Sequence, residues 1–145
     1  MIALLQRVIS ASVTVEDERI ADIGQGLLAL IGVEKNDTVA KAERLAERIL
    51  GYRVFADERD KMNQNVCNVN GSVLLVPQFT LAADTRKGMR PSFSSAADPE
   101  TGRILFDQLV DIMRKRTDRI QIGRFGADMA VKLVNDGPVT IWLRA

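Results

Sequence analysis

Leu27-Leu28-Ala29-Leu30-Ile31-Gly32-Val33 is a continuous apolar run, preceded by Gly24 and Gly26 and followed by a helical pattern over residues 37–50. The run is far too short to span a membrane. It does not alternate with polar residues, so it reads as a strand covered on both faces. In the helix that follows, Val39, Ala42, Leu45, Ala46, Ile49 and Leu50 fall on one side. Asn36 or Asp37 is placed to cap its start and Gly51 to end it.

Outward from this unit, the pattern predicts more strands than helices. Residues 2–9 read as one strand, and Val13 and Val15 alternate with polar neighbours in a second. Residues 16–19 form a charged turn, and residues 20–23 return as a strand. Residues 52–55 read as a short strand, residues 57–71 as an Asn-rich loop, and residues 72–81 as an apolar strand interrupted by Pro77. Asp98-Pro99 opens a second helix, with Asp as N-cap and Pro at the first helical position. Leu105, Leu109, Ile112 and Met113 are its buried side. Residues 120–122, 129–134 and 139–143 finish as strands. The fold class is α/β: a mixed sheet with two main helices on one face. No repeat, linker or low-complexity tract appears, so residues 1–145 are read as one domain.

A chain of this length buries roughly 70% of its unfolded surface and needs no metal or disulfide to fold. At 46% hydrophobic and 27% charged, the composition is that of an ordinary globular protein. A net charge of +1 gives no global case for nucleic acid, so any such case must be local. No signal peptide is evident, and Cys67 is alone. Together these point to the cytoplasm. The chain contains no histidine, which excludes Ser-His-Asp and Cys-His mechanisms. With one cysteine as well, no metal site is expected.

Four segments carry possible chemistry. In 74–81, Gln78 and Thr80 are spaced to share one face of a strand, and Pro77 removes a ladder donor so that N–H groups at Phe79 and Thr80 could face a ligand. In 84–93, Arg86, Lys87 and Arg90 make a candidate phosphate-contacting loop, although a solvated surface loop is the commoner outcome. In 123–129, Gly123 and Gly126 flank Phe125. In 135–140, Asn135-Asp136-Gly137-Pro138-Val139-Thr140 lies between two apolar runs. A hairpin turn explains its Gly-Pro, as does a backbone aimed at a ligand. The base rate for X-Pro bonds favours trans.

Taken together, these segments resemble the D-aminoacyl-tRNA deacylase family, also called D-tyrosyl-tRNA deacylases. The resemblance runs nearly end to end, from Leu5-Gln6-Arg7-Val8 through Lys61-Met62-Asn63 to Asn135-Asp136-Gly137-Pro138-Val139-Thr140. Two signatures carry it, Ser-Gln-Phe-Thr and Asn-x-Gly-Pro-x-Thr. This chain has Pro77 where the first has Ser.

The resemblance implies a sheet bent strongly into a partial barrel. It also implies a cytoplasmic homodimeric editing hydrolase that acts without a cofactor. Its substrate is the ester at the acceptor end of D-aminoacyl-tRNA, and neither DNA nor a membrane is expected as a partner. Gln78, Phe79 and Thr80 become the catalytic residues. Gly137, Pro138, Arg7, Asn135, Thr140 and Met129 become substrate-binding, while the charge pattern of residues 84–93, apart from the resemblance, offers Arg86, Lys87 and Arg90 as tRNA contacts. Gly137-Pro138 is expected to be cis, oriented by Arg7, and to reach into the partner's site to exclude L-amino acids. Glycyl-tRNA, with no side chain on either side, is expected to be cleaved too. The alternative is a non-catalytic RNA-binding dimer.

Overall fold

A computed structural model describes residues 1–145. The strands are β1 (Ile2–Val15), β2 (Glu18–Ile23), β3 (Gly26–Gly32), β4 (Phe55–Ala56), β5 (Met62–Gln64), β6 (Ser72–Pro77), β7 (Ile120–Ile122) and β8 (Ala130–Arg144). The helices are α1 (Val39–Gly51) and α2 (Pro99–Arg114), with a 3-10 helix over Phe79–Ala82. Six strands form one mixed sheet in the order β2-β1-β3-β6-β7, with β8 added along β1. β4 and β5 form a separate small ladder.

The parallel pairs β3–β6 and β6–β7 need crossovers. α1 and α2 supply them and lie together on one side of the sheet, as right-handed crossovers dictate. There Leu45, Ile49, Leu105, Leu109 and Met113 pack with Ala3, Leu5, Leu27, Ala29, Ile31, Val73 and Leu75. The opposite face bends around a second core of Val8, Ala11, Val13, Ala21, Ile23, Leu28, Leu74 and Val76. Leu27 and Leu28 thus belong to different cores, which is what an uninterrupted apolar strand requires. The mixed, bent sheet with two helices agrees with the sequence reading.

Several boundaries differ. Residues 2–15 form one strand rather than two. No Gly or Pro interrupts it, and it bends through register shifts near Val8 instead. Its first half pairs with β3 and its second with β2, while β8 runs along its other edge. The two expected terminal strands are one strand, β8, because both halves pair with β1 and not with each other. The strand expected over 72–81 stops at Pro77.

α1 is capped by Thr38, whose Oγ1 accepts from Lys41 N, rather than by Asn36 or Asp37. Asp37 is turned inward instead. Its buried carboxylate accepts from the Met1 α-ammonium at 2.6 Å and from Glu34 N at 2.7 Å. α2 begins as expected, with Asp98 accepting from Thr101 N at 3.0 Å.

Removing one partner of a buried ion pair leaves an uncompensated charge. Asp37→Ala is therefore expected to lower unfolding stability by about 3–5 kcal/mol. Urea denaturation of the variant against the parent chain measures this.

A candidate active site in two parts

The first part is a cleft of about 480 Å³ at the C-terminal ends of β3 and β6, the usual ligand position in α/β sheets. Pro77, Gln78 and Phe79 line one side, the start of α2 another, and Phe125 and Met129 a third. Gly123 makes room for this wall. A Cβ there would lie 2.8 Å from Met129 Sδ and 3.5 Å from Pro77 Cδ. Arg124 N donates to the same sulfur at 3.3 Å.

Pro77 costs the sheet nothing. Leu75 O accepts from Gly123 N on the β7 side, and Gln78 N donates to Ile31 O on the β3 side. Peptide groups alternate along a strand, so an amide at Pro77 would face β7, where pairing has already ended at Ile122. The chain then turns at Gln78 into the 3-10 helix, so Gln78 and Thr80 are not strand neighbours. Their side chains still meet, Gln78 Nε2 donating to Thr80 Oγ1. Leu81 N bonds Gln78 O, whereas the leading amides of such a turn, Phe79 and Thr80, have no acceptor inside it.

Phe79 is 59% exposed, and its ring meets Phe93 edge-on with centroids 5.1 Å apart. Phe93 belongs to the basic loop, which is closed by paired backbone bonds between Asp84 and Ser92. Arg86 Nε and Nη2 grip the Asp84 carboxylate at 2.9 and 2.6 Å. The Arg86 guanidinium holds that carboxyl well below the usual carboxylate range. Lys87 and Arg90 are exposed and make no ion pair. The three expected cations therefore divide into one committed to the loop and two free.

The second part lies on β8. Gln6 pairs with Thr140 and Val8 with Asn135, so the single residue Arg7 faces residues 136–139. This excursion carries Gly137-Pro138, joined by a cis peptide bond as the resemblance implied. Both residues are exposed. Gly137 has φ +116, a conformation that L side chains rarely adopt.

Asn135 closes the neck of the excursion. Its Nδ2 donates to Arg7 O at 2.9 Å and to Val139 O at 3.1 Å, and its Oδ1 accepts from Thr140 Oγ1. Arg7 backs it from below. Nη1 donates to Val54 O, Nε lies 2.9 Å from Asp136 Oδ2, and Nη2 would be 2.9 Å from a Cβ on Gly137.

The structure thus gathers Gln78, Phe79, Thr80 and Met129 in one place and Arg7, Asn135, Gly137, Pro138 and Thr140 in another. No residue of 135–140 lines the cleft of its own chain. Asp136 was not singled out from sequence. It occupies the variable position of the signature, and no local pattern ties it to a residue on the first strand.

A family model described as D-Tyr-tRNA(Tyr) deacylase matches residues 4–144. Proteins named D-aminoacyl-tRNA deacylase from Salmonella newport (strain SL254) and Escherichia coli O1:K1 / APEC are each 60% identical over 144 residues, covering 99% of both chains. A solved structure named c-Myc DNA Unwinding Element Binding Protein is 39% identical with TM-score 0.96, covering 100% of this chain and 99% of that one. A probable eukaryotic D-amino acid tRNA deacylase matches with TM-score 0.87 over 99% and 98% of the two chains. At 17% identity that likeness speaks for the fold alone.

Two outcomes follow from this geometry. Gly137→Ala forces a side chain into a positive-φ position and is expected to lower stability by about 1–3 kcal/mol in chemical denaturation. Asp84 has a folded-state pKa below its unfolded value of about 3.9, so its contribution is full above that value and is lost as pH falls below it. Hydrogen-exchange protection of the Ser92 amide, which bonds Asp84 O, should hold from pH 8 to 5 and fail only in stronger acid.

Proposed function

The chain belongs to the D-Tyr-tRNA(Tyr) deacylase family, and on that premise we propose that it edits D-aminoacyl-tRNA as a homodimer whose sites are completed across the subunit boundary. It is a hydrolase of an activated ester, so its catalytic groups have less to supply than those of a peptidase. The chain has no histidine to deprotonate Thr80. Water is the attacking group, and the terminal ribose hydroxyl of the substrate assists it. The amides of Phe79 and Thr80 bind the developing oxyanion, an effect of about 3–4 kcal/mol per donor in hydrolases of known mechanism.

The observation that carries the dimeric reading is the separation of the two parts. Gly137-Pro138 points to solvent from a strand paired on one side only. Beside it, Leu30, Leu4 and Trp142 form one row across β3, β1 and β8, with Trp142 51% exposed. A second copy covering this face would bring Gly137-Pro138 over the neighbouring cleft. A main-chain wall on one side of the substrate Cα clashes with an L side chain and leaves a D side chain free. It reads no side-chain identity and cannot reject glycine. Lys87 and Arg90, exposed on the loop whose Phe93 meets Phe79, would meet acceptor-stem phosphates.

Deacylation of D-tyrosyl-, L-tyrosyl- and glycyl-tRNA tests the reading, with the D and glycyl esters cleared and the L ester spared. Phe79→Pro removes one amide from the first position of the turn and should lower the rate about 100- to 1,000-fold. Thr80→Ala should retain most activity, and a dead Thr80→Ala that folds and binds tRNA would restore a side-chain nucleophile. Binding of tRNA with hydrolysis of neither tyrosyl ester would favour the RNA-binding alternative. Neutralising Lys87 and Arg90 together should flatten the salt dependence of tRNA affinity, by a slope of about 0.7–0.9 for each phosphate that is no longer neutralised.

A further inference from the structure

We propose that Asp136 is a specificity-positioning residue, which anchors the Arg7 guanidinium electrostatically and through it holds the stance of the Gly137 main chain. The inference rests on the proposed role of that main chain as the wall excluding L substrates.

The Arg7 side chain is 14% exposed, and Asp136 is the one carboxylate in ion-pair range of it. Nη1 is tied to Val54 O at 2.5 Å. One such bond leaves the guanidinium free to swing about it. A second fixed point is needed to hold Nη2 against Gly137, and the Asp136 carboxylate provides it at Nε. The 2.9 Å approach there is Coulombic, because the Nε N–H is buried and makes no directed hydrogen bond. Without the carboxylate, a largely buried cation would keep a single carbonyl partner and move to find others.

Asn135 does not duplicate this role. Its bonds to Arg7 O and Val139 O close the neck of the excursion and leave residues 136–138 unbraced. Asp136 acts inside the excursion, one residue before Gly137. It therefore links the wall directly to the cation beneath it. The carboxylate is 38% exposed, at the surface where the wall faces outward.

The test uses the full-length chain with Asp136→Asn, which keeps shape and removes charge, and Asp136→Glu, which keeps charge. The readout is the ratio of kcat/KM for L-tyrosyl-tRNA to that for D-tyrosyl-tRNA. Asp136→Asn should raise the ratio about tenfold or more, and Asp136→Glu should bring it back toward the parent value. Amide hydrogen exchange at Gly137 is a second readout, independent of catalysis, and should quicken in Asp136→Asn but not in Asp136→Glu. An unchanged ratio and unchanged exchange in Asp136→Asn would overturn the proposal, as would equal effects of Asn and Glu. Failure of the parent chain to hydrolyse D-tyrosyl-tRNA would instead refute the editing reading, while the exchange data still decide whether Asp136 holds the excursion.

Discussion

The pairing of β1 with β8 is the constraint on which the rest of the molecule depends. It runs almost the full length of both strands, yet one residue of β1 is made to face four of β8. A regular ladder would hide residues 136–139 in the sheet. The surplus instead lifts Gly137-Pro138 off the strand, with Arg7 beneath and Asn135 across the base. The same two strands, with β3, carry the apolar row that a second copy would cover on the proposed reading. On that reading, register therefore sets both the shape of the wall and the surface from which it is presented.

On the proposed reading, a chain without histidine works with what the backbone and the substrate supply. The cleft answers with geometry more than with titrating groups. Pro77 ends β6 at a point where no ladder bond is lost, and the turn after it presents the amides of Phe79 and Thr80. Phe93 and the Asp84–Arg86 pair hold the loop beside them. Chirality on this account is a matter of excluded volume, which explains how one site could serve many D side chains and still admit glycine.

The parts of the fold set by local pattern were legible in the sequence. The apolar run at 27–33 named a strand between two cores, and Asp98-Pro99 named the start of α2. What escaped was set by distant partners. Residues 129–134 and 139–143 look like a hairpin because Gly and Pro separate them, and only β1, more than a hundred residues earlier, makes them one strand. Asp37 has the chemistry of a helix cap, but its partner is the Met1 ammonium. Gln78, Phe79 and Thr80 stood out by spacing, but on a strand that ends before them, and their catalytic role came only from a resemblance. Asp136 was invisible because its meaning lies wholly in Arg7.

The central claim is that the wall of one subunit guards the cleft of the other, and mixed dimers test it most directly. One chain carries Phe79→Pro, with a silenced cleft and an intact wall. The other lacks Asp136, Gly137 and Pro138, with an intact cleft and no wall. In the mixed dimer the working cleft faces the intact wall. The account predicts that isolated mixed dimers hydrolyse D-tyrosyl-tRNA and spare L-tyrosyl-tRNA, while homodimers of the wall-less chain hydrolyse both. Mixed dimers that cleave the L ester as readily as the wall-less homodimers would contradict it.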